Sequence, residues 1–318
     1  MTSTGTGKKS DGTAHPGTGD PGTDPVLVKP EWLAEHLHDP RIKVIEVDVS
    51  DAAYTRGHID GAMLWNVYRD LKDPQYRTVD VAAIARLAGR SHIGTDTTVV
   101  FYGYAPAMGF WFLKLMGHAD VRILDCSREA WQLAGRPWTD EAPEPGAGSY
   151  PVGSLQQQIR ANGVKVRDAM NDADRVIADV RTELEFVGER FWPSGGMDPA
   201  GRAGHIPSAV HVPIDNLYQP DGAFRGRPEL EELFVALDPV TGREVITYCT
   251  IGGRACTAWF VLSYLLDRPN VRVYDGSWAE WGRLPSSEVE TTYAPTPPPQ
   301  HSSADITTAA VPAGRPMA

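Results

Sequence analysis

The most constraining feature of this 318-residue chain is an internal repeat. Three strings occur once in each half, in the same order: GHI at 57–59 and 204–206, VVFYG at 99–103 against VITYC at 245–249, and VRILD at 121–125 against VRVYD at 271–275. The offset between copies stays within 146–150 residues throughout. Chance does not preserve both order and spacing, so the sequence predicts a duplicated domain of about 120 residues.

Each copy alternates short β-branched runs with segments of helical periodicity. In the second copy VIADV, VITYC and VRVYD are rich in valine and isoleucine, which is typical of strands buried on both faces. Residues 227–237 and 255–266 place apolar side chains at helical spacing. This alternation predicts an α/β fold in which each domain is a parallel sheet with helices on both faces. In such sheets, ligands bind beyond the carboxyl ends of the strands.

Composition along the chain indicates the domain boundaries. We expect a first domain over 26–140, a Pro/Gly-rich linker over 141–161 and a second domain over 162–290. Residues 1–25 and 291–318 are rich in Gly, Thr, Ser and Pro and have little to bury, so we expect both tails to be disordered.

Charge and cysteine content exclude several classes of protein. The chain has 30 basic and 41 acidic residues, a formal net charge of −11, which argues against nucleic-acid binding and against adhesion to an anionic membrane. No run approaches the apolar length needed to span a bilayer, and the N-terminus lacks the apolar region of a secretory signal. Three cysteines fit a reducing compartment, and no Cys/His spacing resembles a zinc site. We expect a cytoplasmic monomer.

The residue with the clearest chemical context is Cys249. It ends a predicted buried strand and begins the loop CTIGGR, which a helix follows. Gly252 and Gly253 let backbone N–H groups turn inward and form an anion-binding nest. Arg254 adds a positive charge, the helix N-terminus adds a partial one, and all three features favour the nucleophilic thiolate. The loop therefore predicts a reactive cysteine that faces an anion; the alternative is a buried structural cysteine.

Four strings together resemble those of the tandem-domain rhodaneses, sulfurtransferases of the thiosulfate and 3-mercaptopyruvate group: GHIDGA at 57–62, GHIPSAV at 204–210, CTIGGR at 249–254 and VYDGSWAEWG at 273–282. The resemblance spans roughly residues 26–290. It implies that Cys249 takes a sulfane sulfur from a small anionic donor, becomes a persulfide, and passes the sulfur to a thiol or cyanide acceptor. It also implies no metal and no organic cofactor.

The resemblance further implies which residues bind the donor. The backbone of the loop residues Thr250, Ile251, Gly252 and Gly253 would hold the charge of the persulfide, and Arg254 would position the anionic donor. Arg181, in the motif Asp-x-Arg at the end of a strand, would bind the anionic group of the donor, since a guanidinium suits an oxyanion. The alternative for Arg181 is a helix cap or an interdomain ion pair, with Asp179 structural.

The length and content of the loop bear on the reaction. Related phosphatases carry Cys-x5-Arg, whereas CTIGGR is Cys-x4-Arg and better fits one extra sulfur atom. The loop lacks the basic residues that thiosulfate-type loops often place after the cysteine, and it also lacks the Gly-Val-Thr ending of mercaptopyruvate-type loops. It is closer to a version found in bacterial proteins usually named thiosulfate sulfurtransferases. Thiosulfate is therefore the expected donor; 3-mercaptopyruvate, or a sulfur-carrier and docking module with little small-donor turnover, are the alternatives.

The first copy has Gly103 in the place of Cys249, so we expect the first domain to be catalytically inert and to wall one side of the cleft. The segment 189–203 is an insertion in the second copy and carries an exposed-looking Phe191-Trp192 pair. We expect it to form either a lid over the cleft or a surface excursion that touches only its own domain.

Four further residues have mainly structural interpretations. His58 and His205 lie in the repeated Gly-His-Ile motif, which we interpret as a structural turn. In mercaptopyruvate-type relatives the first-domain histidine acts with a loop serine, but Ile251 stands at that loop position here. Cys256 fits helix packing, with a resolving cysteine as the alternative, and Cys126 fits a loop.

Overall fold

The computed structural model describes residues 26–240 and 242–291. The predicted tails, apart from Thr291, lie outside the described residues, so their disorder stays a prediction. Within the described part the chain forms two α/β domains, each built around a five-stranded sheet.

The first domain contains seven strands and five helices. The strands are β1 (Leu27–Val28), β2 (Ile42–Asp48), β3 (His58–Ile59), β4 (Met63–Asn66), β5 (Thr98–Gly103), β6 (Val121–Leu124) and β7 (Trp138–Thr139). The helices are α1 (Pro30–His36), α2 (Asp51–Arg56), α3 (Val81–Arg90), α4 (Pro106–Leu115) and α5 (Arg128–Leu133). A π-helical turn, Val67–Leu71, follows β4.

The second domain contains five strands and five helices. The strands are β8 (Arg160–Ala161), β9 (Arg175–Asp179), β10 (Val210–His211), β11 (Glu244–Tyr248) and β12 (Val271–Tyr274). The helices are α6 (Gly163–Ala169), α7 (Glu183–Phe186), α8 (Arg227–Leu233), α9 (Gly253–Phe260) and α10 (Ser277–Trp281). Short 3₁₀ segments, Gln157–Ile159 and Val235–Val240, and a π-helical turn, Val261–Leu265, complete it.

The two sheets have the same topology. The first runs β1-β6-β5-β2-β4 and the second β8-β12-β11-β9-β10, with every pairing parallel. The central strands of each sheet are nearly all apolar and buried, as parallel strands covered by helices on both faces must be. The predicted α/β fold with a duplicated parallel sheet is therefore confirmed.

The predicted linker overlaps the second domain. Strand β8 pairs in parallel with β12 and forms the edge of the second sheet, although residues 160–161 were expected in the linker. The irregular part of the connection is therefore shorter than the Pro/Gly-rich composition suggested. Composition marks where regular structure stops, but a two-residue edge strand leaves no compositional signal.

The inner faces of the two sheets share one hydrophobic core. Helices α4 and α9 pack together, and the ring of Phe110 on α4 lies 4.9 Å from Phe260 and 6.1 Å from Trp259. The outer faces form separate clusters, one in each domain. Because α4 follows the strand end at Gly103 and α9 follows the strand end at Cys249, this packing brings the two equivalent loops next to each other.

Candidate active site

The loop after β11 places Cys249 beside inward-facing backbone. Gly252 has φ +100°, a left-handed conformation that favours glycine, and its N–H donates a hydrogen bond to the Cys249 sulfur, N···Sγ 3.1 Å. Helix α9 begins one residue later, so its N-terminal dipole adds positive potential. The side chain of Cys249 is only 1% exposed. The sulfur therefore lies in an enclosed loop that favours negative charge.

Residues at the start of α10 form hydrogen bonds with the backbone of this loop. The N–H of Cys249 donates to Ser277 Oγ at 3.2 Å, and the N–H groups of Trp278 and Ala279 donate to the carbonyls of Cys249 and Thr250 at 2.9 and 2.8 Å. Ser277 is buried with φ +52°, an uncommon conformation that aims these donors at the loop. The repeated motif near residue 275 thus acts as a support for the cysteine loop.

Glu185, which the sequence analysis did not single out, fixes the other side of the loop. Its carboxylate is fully buried and accepts hydrogen bonds from Thr250 Oγ1 at 2.5 Å and from Arg254 Nη1 and Nη2 at 2.9 and 2.7 Å. Thr182 donates to it from both its N–H and its hydroxyl. The Arg254 guanidinium and these hydroxyl donors outweigh burial and lower the pKa of Glu185 to about 2.

The sequence does contain a signal for Glu185. Thr182 and Glu185 form a capping box at the start of α7, and the spacing Thr-x-x-Glu is recognisable without a structure. The pattern indicates a helix start, but it does not indicate that the carboxylate also holds a loop some 65 residues further along. That second role depends on the sheet, which places the ends of β9 and β11 side by side.

The predicted loop residues lie together, but the guanidinium of Arg254 is already paired with the carboxylate of Glu185. It points along the loop, with 23% of its side chain exposed, and it also contacts Thr250 Oγ1 at 2.8 Å. Ile251 packs at the edge of the shared core, and the backbone of Gly253 faces Ala105 of the first domain. The charge of Arg254 therefore lies beside the loop as a held ion pair with Glu185, not as a freely mobile cation.

Arg181 lies away from solvent. Its side chain is 0% exposed, its Nε and Nη2 donate to the Asp179 carboxylate, and Nη2 also donates to the carbonyl of Gly204 at 2.7 Å. The guanidinium stacks 4.6 Å from the Trp278 ring. Tyr248 Oη donates to the same carboxylate. This is a buried ion pair that leaves Arg181 Nη1 without a hydrogen-bond partner among the described residues, so donor binding by Arg181 stays a prediction.

A lysine from the first domain reaches the loop, and nothing in the sequence pointed to it. Lys72 directly follows the π-helical turn and is 3% exposed. Its Nζ donates to the backbone carbonyl of Asp275 at 3.0 Å and to Thr78 Oγ1 at 3.1 Å. A Cβ added at Gly252 would lie 3.5 Å from this Nζ. The first domain thus places a buried amine against the cysteine loop.

The two motif histidines are held in equivalent turns. His58 stacks on Tyr54 at 3.7 Å and its Nδ1 contacts the Tyr54 carbonyl; His205 stacks on Phe186 at 3.8 Å with its Nδ1 on the Phe186 carbonyl. Each imidazole is buried and joins a loop to the preceding helix. This geometry agrees with the interpretation of both as structural turns.

Neither of the other cysteines has the environment of Cys249. Cys256 is buried in α9 within the shared core, and burial raises the pKa of its thiol well above the ordinary range. Cys126 lies in the loop after β6, where burial raises its pKa to about 12. In the first domain Gly103 has φ +102°, and a Cβ there would lie 2.9 Å from the Val47 carbonyl oxygen, so the equivalent loop has no room for a side chain.

The insertion at 189–203 contradicts the expectation that it touches only its own domain. Phe191 is 0% exposed, not surface-exposed, and the ring of Trp192 lies 5.0 Å from that of Tyr76 in the first domain. Arg283 lies over these rings, pairs with Asp198, and donates to the Gln75 carbonyl at 3.0 Å. The insertion therefore clamps the first-domain segment 72–78 instead of touching only its own domain.

The described ranges, 26–240 and 242–291, contain no group of three or more His, Cys, Asp or Glu side chains arranged to hold a metal ion. They also contain no helix that is long and apolar enough to cross a membrane.

Fold and site together define a tandem α/β protein with one cysteine in an anion-favouring loop. The Rhodanese-like domain model matches twice, at residues 29–134 and 164–284, so the chain belongs to the rhodanese-like family. Sulfur carrier protein TtuD of Thermus thermophilus is 39% identical over 86% of this chain and 96% of its own length. Thiosulfate sulfurtransferase of Corynebacterium glutamicum is 37% identical over 83% of this chain and 90% of its own length. The family is therefore one of sulfurtransferases.

Solved structures confirm the arrangement of both domains. The wild-type structure of EanB superimposes with a TM-score of 0.75 over 85% of this chain and 70% of its own, at 22% identity. An anaerobic ergothioneine biosynthesis enzyme from Chlorobium limicola superimposes with a TM-score of 0.73 at 23% identity. At this level of identity the likeness concerns the fold alone.

Proposed function

We propose that this protein is a thiosulfate sulfurtransferase that carries the transferred sulfur as a persulfide on Cys249. The observation that carries the proposal is the enclosed sulfur that accepts a hydrogen bond from the Gly252 N–H at the start of α9. Support for the donor comes from the Corynebacterium relative, which is named a thiosulfate sulfurtransferase.

In the first step the Cys249 thiolate attacks the outer sulfur of thiosulfate. A bond forms between the two sulfur atoms, the bond from that sulfur to the sulfonate breaks, and sulfite leaves with the electron pair. The product is a persulfide anion one atom longer than the thiolate. The N–H of Gly252 and the N-terminus of α9 stabilise this anion, as preorganised dipoles stabilise developing charge in other enzymes.

In the second step an acceptor attacks the terminal sulfur. Cyanide forms a carbon–sulfur bond, the persulfide bond breaks, thiocyanate leaves and the thiolate of Cys249 returns. A thiol acceptor gives the corresponding persulfide in the same way. In this scheme Thr250, Ile251, Gly252 and Gly253 shape the space for the extra sulfur, Arg254 attracts the donor, and Arg181 holds the end of β9 in place.

The test is thiocyanate formation from cyanide, with thiosulfate and 3-mercaptopyruvate compared side by side. We expect saturable turnover with thiosulfate in the wild type and a fall of at least about a thousandfold in Cys249→Ser, since a hydroxyl cannot replace the thiolate. Mass spectrometry of the Cys249 peptide after thiosulfate alone should show one added sulfur atom.

The other two cysteines supply matched controls. Cys126→Ser and Cys256→Ser should both retain turnover, because burial raises the pKa of both thiols and so keeps them in the neutral form. Activity in Cys249→Ser above a tenth of the wild-type value would disprove the persulfide mechanism. Turnover with 3-mercaptopyruvate alone would show that it is the donor instead of thiosulfate, and the persulfide mechanism would stand.

One observation favours a second function. The Thermus relative is named a sulfur carrier protein. In a carrier, Cys249 would be loaded by a protein partner and would turn over thiosulfate poorly. Lack of saturation with either small donor in a folded protein, together with persulfide on Cys249 after incubation with a cysteine desulfurase and cysteine, would favour the carrier.

A further inference from the structure

Lys72 is a buried amine without a carboxylate of its own. Among the described residues its Nζ has two hydrogen-bond acceptors, the Asp275 carbonyl and Thr78 Oγ1, and both are neutral oxygens. The Asp275 carboxylate is already held by Arg160, with Nε and Nη2 at 2.9 and 3.0 Å. An ammonium has three N–H groups, so one remains for another partner. Burying a cation in this way is costly unless a nearby anion compensates for it.

The anion that the proposed reaction forms near Lys72 is on Cys249. The groups that face Lys72 are the Asp275 carboxylate, the Arg160 guanidinium and the thiols of Cys249 and Cys256. Burial lowers the pKa of Lys72, whereas a charged Asp275 or either ionised thiol raises it. Of the two thiols, Cys256 is held neutral by burial within the core. Cys249 is thus the group whose charge changes with the reaction.

The pseudo-symmetry of the two domains shows that this amine belongs to the active side. Each domain sends a short hairpin to the other, closed by the bridges Lys72–Thr78 in the first and Tyr218–Phe224 in the second. At the equivalent loop of the first domain, the N–H of Phe224 donates to Asp125, the counterpart of Asp275. The position that corresponds to Lys72 holds the neutral Tyr218. At this hairpin position the first domain therefore has a cation and the second domain a neutral ring.

We propose that Lys72 is a positioning residue through which the first domain stabilises negative charge on Cys249, both as the thiolate and as the persulfide. The proposal rests on the proposed function for the persulfide, but its effect on the thiolate does not depend on any sulfur donor. It gives the first domain, which has Gly103 in the place of Cys249, a direct electrostatic part in the reaction, beyond walling the cleft.

The test compares alkylation of Cys249 by a neutral and an anionic reagent, iodoacetamide and iodoacetate, followed by mass spectrometry of the Cys249 peptide. We expect Lys72→Met to slow the iodoacetamide reaction about tenfold at pH 7, because a neighbouring cation favours the thiolate, which is the reactive form. The iodoacetate reaction should slow further still, since the cation also attracts the anionic reagent.

The control variant is Lys114→Met. Lys114 is another largely buried lysine of the first domain, with its pKa lowered to about 8, and it lies at the far end of α4 from the cysteine loop. The Lys114→Met variant should leave both alkylation rates and their ratio unchanged. If the role of Lys72 were purely structural, Lys72→Met would change the rates of both alkylation reactions by the same factor. An unchanged ratio of the iodoacetate rate to the iodoacetamide rate, or unchanged rates, would overturn the proposal.

A second measurement does not require Lys72→Met to fold. The titration of Lys72, followed by NMR of the lysine side-chain nitrogens, should be compared in the wild type and in Cys249→Ser. Removing the thiolate should lower the pKa of Lys72, because linkage between two charges is reciprocal. An identical titration in the two proteins would refute the coupling.

The two proposals can fail separately. If no donor gives thiocyanate but Lys72→Met still changes the reagent ratio, the proposed function is wrong and the role of Lys72 stands. If thiosulfate turnover is present, but Lys72→Met leaves the reagent ratio unchanged and Cys249→Ser leaves the titration of Lys72 unchanged, the proposed function stands and the role of Lys72 is wrong.

Discussion

At the scale of single residues, the site depends on a buried carboxylate that the chemistry of sulfur transfer does not itself require. Glu185 accepts hydrogen bonds from both sides of the loop, and its pKa falls from 4.5 to about 2. A carboxyl with a lowered pKa stabilises the folded state above its unfolded pKa, and that contribution is lost as the pH falls through the folded value. The acid stability of this protein therefore depends in part on Glu185.

We predict that Glu185→Gln lowers the free energy of unfolding by about 3 kcal/mol at pH 7, the amount that a shift of this size represents. The difference from wild type should shrink between pH 4.5 and pH 2, where the wild type loses the same contribution. Urea unfolding at several pH values measures it. The control is Glu183→Gln on the exposed side of the same helix, and a deficit in Glu185→Gln that does not change with pH would contradict the prediction.

At the scale of elements, the strand–loop–helix unit that carries Cys249 could be predicted because all its determinants are adjacent in sequence. A β-branched run, a cysteine, two glycines and an amphipathic run specify it locally. Glu185 and Lys72 could not be found this way, since they join the loop from 65 and about 200 residues away. Arg181 shows the converse: its motif was visible in the sequence, but only the structure shows that its Nε and Nη2 pair with Asp179 and that its Nη1 has no partner among the described residues.

The conformation of Gly252 gives a prediction for the loop as a unit. Gly252→Ala should destabilise the fold by about 2 kcal/mol or more, because alanine is strained at φ +100° and its Cβ would lie 3.0 Å from the Asp275 carbonyl oxygen. The backbone must then shift, so the N–H should lose its contact with Cys249 and persulfide formation should slow at least about tenfold.

Gly195→Ala is the matched control for this variant. Gly195 has φ +99°, but a Cβ there would meet nothing within 4 Å. Gly195→Ala should lower the free energy of unfolding only by the backbone strain, about 1 kcal/mol, and should leave sulfur transfer unaffected. Equal kinetic effects in the two variants would show that the contact around Gly252 does not matter to the loop.

At the scale of the whole molecule, the first domain is part of the site. It supplies Lys72, its segment 72–78 is clamped by Arg283 and Trp192, and its helix α4 packs on α9 directly behind the cysteine loop. The duplication in the sequence predicted two domains of the same topology. It could not predict this sharing, because contacts between two domains depend on how they dock, and docking leaves no periodic pattern in either copy.

The shared core predicts that the domains unfold together. Phe110 is fully buried on α4 and contacts Trp259, Phe260 and Tyr264 of the other domain. Phe110→Ala should therefore lower the free energy of unfolding by about 3–5 kcal/mol, as a large aromatic cavity does. Because the cavity opens at the interface, amide hydrogens of β5 and of β11 should both exchange faster, to a similar degree.

Hydrogen exchange followed by mass spectrometry resolves the two sheets separately, and urea unfolding should show a single transition in both proteins. Leu133→Ala is the control, since Leu133 lies in the first domain with 88% of its side chain exposed and should change stability by no more than about 0.5 kcal/mol. Faster exchange confined to β5 would mean that the domains are independent folding units. Faster exchange in both sheets would mean that the first domain is needed to hold the Cys249 loop of the second domain.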